Sequence, residues 1–194
     1  MTEEQIRFKN GNVLRIKKAD PRVPKIEYEA VENCTLNRPK KIVAFLQNMW
    51  FKDPPVMQAQ LQRFLEVDPI SGRERFIRTW LFWSCLTGKR LRRAFGQDLC
   101  DEIIWEEGSP EIGGKSSSVF KPKYSHIHRV IEKHNPAIIL AFGKVVIPTA
   151  RLVVQKMMQP GKQPVLIVGP HPAARGGFVV QDLADMTQAL KELL

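Results

Sequence analysis

The chain has 194 residues, 43% of them hydrophobic and 26% charged, enough to bury one sizeable core and to form a single domain. No stretch approaches the roughly 18 consecutive apolar residues of a membrane span, and the start, MTEEQIRFKN, lacks the apolar run of a signal peptide, so a cytoplasmic protein with no membrane partner is expected, read as a monomer. The formal net charge of +10 points to a polyanionic partner, nucleic acid first, because Lys and Arg that neutralise phosphates gain affinity by counterion release; the alternative is a generally basic, solvated surface.

Residues 1 to 38 are polar and proline-punctuated, and are expected to form an N-terminal extension packed on a core of residues 39 to 194. Four short, β-rich, nearly continuous apolar runs predict strands covered on both faces: Ile42 to Leu46, Ile103 to Trp105, Ile138 to Phe142 and Val165 to Val168. Between them lie helical patterns. VMQAQLQRFLEV carries Val56, Leu61, Phe64 and Leu65; SHIHRVIEKHNP offers Ser125 as a cap and stops before Pro136; the C-terminal stretch repeats Leu183, Met186, Leu190 and Leu193 on one face. The alternation predicts an α/β fold, a three-layer α/β/α sandwich around a four-stranded parallel sheet. Ligands of such sheets bind outside the carboxyl ends of the strands, where Asn48, Glu107, Gly143 and His171 would converge.

Cys34, Cys85 and Cys100 are widely spaced and form no CxxC pair, so neither a disulfide framework nor a zinc or iron–sulfur site is signalled. His126 and His128 would face different sides of a helix and His134 lies farther on, which argues for solvated or capping histidines and against a metal cluster. No cofactor is called for.

Four loops hold the residues suited to chemistry. In VGPHPAARGG, Pro170 and Pro172 restrict the backbone on both sides of His171, which aims an imidazole just past a strand; a turn shaped by prolines alone would have the same sequence. SPEIGGKSSS misses the phosphate-loop pattern because Ser109 stands where Gly is required, and suits a flexible loop touching a phosphate backbone through Ser109, Lys115 and Ser116. AFGKVV places Gly143 and Lys144 at an expected helix start, where amides can hold an anion; a glycine that only turns the chain is the alternative. In LQNMWFKDP, Asn48 can orient a water, while Gln47, Trp50 and Phe51 suit a pocket for a flat heterocycle; an aromatic loop capping the core is the alternative.

LQNMW after the first strand and HPAAR near the C-terminus together resemble the uracil-DNA glycosylase superfamily, whose first motif takes forms such as GQDPY or GMNPG and whose second reads HPSPL, HPSPR or HPAA. The resemblance spans roughly residues 41 to 194 in element order and rests mainly on the second motif. Leu46 replaces the family glycine and Met49 the usual proline, and the four cysteines of the iron–sulfur branches are absent, as in a cluster-free branch. The resemblance implies a glycosylase-like fold and base excision from DNA. Asn48 would position the water, His171 would stabilise charge on the departing pyrimidine, and Arg175 would fill the vacated stack, the alternative being that Arg175 only binds phosphate.

Where related enzymes commonly carry an Asn that reads the base, this chain has WEEGSP, with Glu106 or Glu107 in its place. An ionised carboxylate only accepts hydrogen bonds, which favours the amino group of a cytosine-type or modified base over uracil; a protonated glutamate in a dry pocket could also donate, and both carboxylates could simply be solvated at a strand end. With a modified cytosine as target, defence against bacteriophages with modified DNA is one biological role. The DNA grip is expected from Lys89, Arg90, Arg92 and Arg93, from Arg73, Arg75 and Arg78, and from Lys115, Lys121 and Lys123. The rival readings are a DNA-binding protein on the same fold without catalysis and an enzyme cleaving free nucleosides or nucleotides.

Overall fold

The computed structural model describes residues 3–7, 13–17, 28–29, 41–47, 49–83, 85–113, 121–157 and 164–194. Near the N-terminus, β1 (Glu3–Arg7) and β2 (Val13–Lys17) form an antiparallel pair, and β3 (Tyr28–Glu29) adds two antiparallel residues to the edge of the main sheet. The body of that sheet is four parallel strands: β4 (Ile42–Leu46), β6 (Ile104–Glu107), β8 (Ile138–Phe142) and β9 (Val165–Gly169). Their order is β9-β8-β4-β6, so the chain runs from β4 to one side, then returns to the other. The reversal lies beside β4, where the carboxyl ends of neighbouring strands open a crevice.

The apolar runs are buried on both faces because each alternate side chain meets a different helical layer. Ile42, Ala44 and Leu46 join the cluster that includes Phe76, Leu91, Phe142 and Met186; Val43 and Phe45 join Ile127, Val130, Ile147 and Val153. Helices α1 (Pro54–Val67), α2 (Gly72–Trp83), α3 (Leu86–Phe95), α4 (Gln97–Glu102) and α7 (Phe178–Leu193) supply the first cluster, while α5 (Tyr124–His134) and α6 (Ile147–Lys156) supply the second. This is the expected α/β arrangement with helices on both faces of a parallel sheet. None of the helices among the described residues is long and apolar enough to cross a membrane.

Local signals explain most boundaries. Asp53 accepts from the Val56 amide at 3.2 Å and Pro54 opens α1, while Asn135 ends α5 in the left-handed conformation just before Pro136. In the C-terminal helix Leu183, Met186 and Leu190 are buried as the spacing predicts. Gly169 makes room for that helix: a Cβ there would stand 2.0 Å from Met186 Sδ.

Several boundaries differ from the expectation. Helix α5 starts at Tyr124 with Lys123 in the cap position, so Ser125 is inside the first turn and not the cap. Gly143 and Lys144 do not begin a helix; a turn intervenes and α6 starts at Ile147. Strand β6 continues through Glu106 and Glu107, which are therefore buried members of the sheet instead of residues beyond its end. Two short strands, β5 (Met49–Trp50) and β7 (Ile112–Gly113), pair in parallel and tie the loop after β4 to the loop after β6.

Candidate active site

A cleft of about 360 Å³ opens at the carboxyl end of β4, lined by Leu46, Gln47, Met49 and Phe51, by Ile77, Trp80 and Leu81 of α2, by Cys85 and Thr87 at the start of α3, and by Glu107, His171 and Ala173. Four residues singled out from the sequence, Gln47, Phe51, Glu107 and His171, thus meet in one largely apolar hollow. Its volume lies within the ~300–1,000 Å³ usual for small-molecule sites.

His171 follows β9 and is fixed on every side. Pro170 and Pro172 are buried, the Ala174 amide donates to the His171 carbonyl at 2.8 Å, and a Cβ on Gly143 would stand 3.0 Å from His171 Cβ. Gly143 has φ +91°, a conformation that suits glycine and lets β8 end directly beneath the imidazole. The Ala173 amide donates to Nδ1 at 3.2 Å. Burial lowers the imidazole pKa, so the ring is held neutral. A neutral ring that accepts at Nδ1 carries its proton on Nε2, the nitrogen left to act as a donor.

The two glutamates at the end of β6 have opposite roles. Glu106 is buried; burial by itself pushes its carboxyl up, but the neighbouring His126 and Arg73 outweigh it and hold it below the usual range. Arg73 Nε lies 3.2 Å from Glu106 Oε2 and His126 Nε2 lies 3.6 Å from the same oxygen. The other guanidinium nitrogens of Arg73 reach the carbonyls of Ser109 and Pro110 at 3.3 and 3.2 Å. Glu107 is equally buried, and its Oε2 has no hydrogen-bond partner among the described residues. Burial, reinforced by the charge on Glu106, pushes its carboxyl up to about 8. At neutral pH Glu107 is therefore mainly the protonated acid, a donor as well as an acceptor, and the ionised partner of the pair is Glu106.

Several expected DNA contacts are corrected by this geometry. Arg73 is internal, as described. Arg90 donates to the carbonyls of Pro172 and Ala174 at 2.6 and 2.8 Å, which makes it a strut of the His171 loop rather than a phosphate contact. Ser109 is fully buried and donates to the Glu111 carboxylate, which also pairs with Lys123, so neither Ser109 nor Lys123 is a free DNA ligand. His126 is neither solvated nor capping, since it faces Glu106; His128 stacks on Tyr124 and lies 3.1 Å from Glu132.

Arg75 faces Asp68 at 3.7 Å, Arg78 faces Asp101 at 2.5 Å and Arg92 sits over the Phe82 ring at 4.9 Å. Lys89, Arg93, Lys121 and Arg175 are exposed and enter no ion pair among the described residues, as do Lys52 and Lys144. Asn48, Lys115, Ser116, Cys34 and the Trp50 side chain lie outside the described residues, although Gln47 and Met49 on either side of Asn48 both line the cleft.

Trp80, Thr87 and Cys85 belong to the cleft without having been singled out. Trp80 meets Phe51 edge-on with ring centres 5.9 Å apart, and Cys85 caps α3 by accepting from the Gly88 amide at 3.3 Å. The apolar periodicity of α2 marks Trp80 as inward-facing, but nothing local says that its neighbour is a cleft and not core. Comparison of the chain with protein-family models, with curated proteins and with solved structures found no match to any of them.

Proposed function

We propose that the chain is a monofunctional DNA glycosylase of the uracil-DNA glycosylase type, which flips a pyrimidine into the cleft and hydrolyses its N-glycosidic bond. The observation that carries this reading is the placement of a neutral His171, with Nε2–H as its free donor, and a protonated, unpartnered Glu107 on the same apolar cleft. Cleavage leaves an oxocarbenium-like sugar and an anionic base, and a donor fixed beforehand stabilises that charge as it develops.

In this reading Phe51 and the aliphatic wall take the flat faces of the base, Nε2–H of His171 donates to its developing oxyanion, and Glu107 meets the pairing edge. A neutral carboxylic acid offers one O–H donor and one carbonyl acceptor side by side. That pair complements an edge with an adjacent acceptor and donor, which cytosine-type bases present as N3 and the N4 amino group, and uracil as O4 and N3–H. Asn48 orients the attacking water, and Arg175 occupies the stack that the base leaves.

The exposed Lys52, Lys144 and Arg175 are on loops that follow β5, β8 and β9, so positive charge surrounds the carboxyl edge of the sheet. A polyanion laid across that edge would present its bases to the cleft, as DNA does. With six to ten phosphate contacts, affinity would fall by about 10³ to 10⁵ between roughly 50 and 200 mM salt.

The test is mass-spectrometric identification of free base released from DNAs containing uracil, thymine mismatches, cytosine, hydroxymethylcytosine or glucosylated hydroxymethylcytosine, with free deoxynucleosides alongside. Release from one DNA and not from nucleosides supports the reading and names the base. Release from nucleosides alone, insensitive to salt, assigns the cleft to a small-molecule N-glycosidase instead.

A further inference from the structure

Helix α2 borders three hollows in succession. Ile77, Trp80 and Leu81 wall the cleft; Trp80 also walls an apolar notch of about 220 Å³ shared with Gln60, Phe64, Thr79 and Trp83. Thr79 and Trp83 in turn border an open groove of about 610 Å³ whose remaining wall includes Arg75, Arg78, Phe82 and Arg92. The notch thus shares Trp80 with the cleft and Thr79 and Trp83 with the groove, and the groove holds the arginines together with Trp83.

Trp83 is 79% exposed, whereas Trp105, of the same size, is fully buried in the core. Beside Trp83 stand three guanidiniums. Arg78 and Arg75 each face a carboxylate, Asp101 and Asp68, and Arg92 enters no ion pair among the described residues. A guanidinium has five N–H donors, and Arg78 commits two of its nitrogens to Asp101, so donors remain for a phosphate. An accessible aromatic face next to a row of arginines is the combination that holds a single strand, stacking on the base and charge on the backbone.

We propose that this face of α2 is a second DNA contact, a track for an unpaired strand, with Trp83 stacking on a base and Arg75, Arg78 and Arg92 holding its phosphates. The proposal rests on reading the chain as a DNA-binding protein, and not on base excision. It commits to single-stranded DNA because duplex bases are already stacked and offer no face to one projecting indole. A duplex would engage the arginines alone and leave Trp83 without a role.

The experiment measures fluorescence anisotropy of a labelled oligothymidylate and of a labelled hairpin duplex of ordinary base pairs, titrated with the full chain over a salt series. The oligothymidylate should bind more tightly than the duplex. Trp83→Ala should weaken it on the order of tenfold while leaving duplex binding unchanged, and Trp83→Phe should restore most of the loss. Arg92→Ala should reduce the slope of log affinity against log salt for the single strand by about 0.7.

Absent binding to the single strand, equal binding of the two probes, or a Trp83→Ala variant that holds the single strand as well as the parent overturns the proposal. Binding to these probes requires no excision, so failure of the strand track and failure of the glycosylase reading register as separate results.

Discussion

Arg90 of helix α3 donates from a single guanidinium nitrogen to the Pro172 carbonyl at 2.6 Å, and the same nitrogen reaches the Ala174 carbonyl at 2.8 Å, which ties the turn after His171 to a helix 82 residues earlier in the chain. The imidazole is thus held from outside its own loop as well as by its prolines.

Arg90→Ala removes this strut and leaves two partly buried carbonyls without their donor. The expected outcome is a fall in kcat for base release on the order of 10- to 100-fold, since small displacements of a catalytic group are costly, with DNA affinity and its salt dependence unchanged. Comparison of kcat with the salt slope of binding checks it. A reduced slope with unchanged kcat would return Arg90 to the phosphate contacts.

Glu107 gives a pH dependence of known sign. Its folded carboxyl titrates near 8 in place of the usual 4.5, so between those values the folded chain keeps a proton that the unfolded chain has lost. The associated stability is fully present below 4.5 and is lost as the pH rises through about 8. Glu107→Gln cannot ionise, and urea unfolding should show its stability gaining on the parent's as the pH rises across that window. Base release by the parent should also decline above pH 8, and the decline should be absent in Glu107→Gln if that variant retains activity. Parallel profiles for parent and variant would contradict the assignment.

Arg73→Ala should be strongly destabilising. Glu106 would remain buried with its guanidinium partner removed, a change that typically costs about 3–5 kcal/mol, and the Ser109 and Pro110 carbonyls would lose a donor as well. Adding Glu106→Gln to that variant should recover part of the loss. A double-mutant cycle by chemical denaturation measures the coupling, and strict additivity would contradict the internal role given to Arg73.

Gly143→Ala combines an unfavourable φ of +91° with a Cβ only 3.0 Å from that of His171. Backbone strain of this kind costs about 1–3 kcal/mol. The variant should melt at lower temperature and lose more activity than Gly176→Ala, where φ is also positive but no atom stands within 4 Å of the added carbon. Equal losses in the two variants would mean that the contact with His171 does not matter.

The parallel sheet was legible because its strands are short, continuous apolar runs, and three of them, Ile42–Leu46, Ile138–Phe142 and Val165–Gly169, fall on or within one residue of the expected limits. The fourth was misplaced at its end because Glu106 and Glu107 are charged, and charge ordinarily marks a strand's exit into water. Glu106 is paired with Arg73 and His126, which come from two other elements and leave no local trace, and Glu107 is buried as the uncharged acid. The same reason hid the internal roles of Arg73 and Arg90: a basic residue on a helix surface reads as solvated or as a phosphate ligand until its partner, 33 to 84 residues away, is known. The proline clamp on His171 is local chemistry and could be read directly, whereas its tautomer could not, because that depends on where the Ala173 amide points.

The most direct test of the central claim is alkali-revealed strand cleavage at abasic sites in the DNA from which base is released, for the parent chain and for His171→Ala and Asn48→Ala. The parent should produce abasic sites, and His171→Ala should lose about 100- to 1000-fold in rate, the usual effect of removing one preorganised donor, with a comparable loss for Asn48→Ala. Intact DNA with the parent, or a His171→Ala variant as active as the parent, would contradict it.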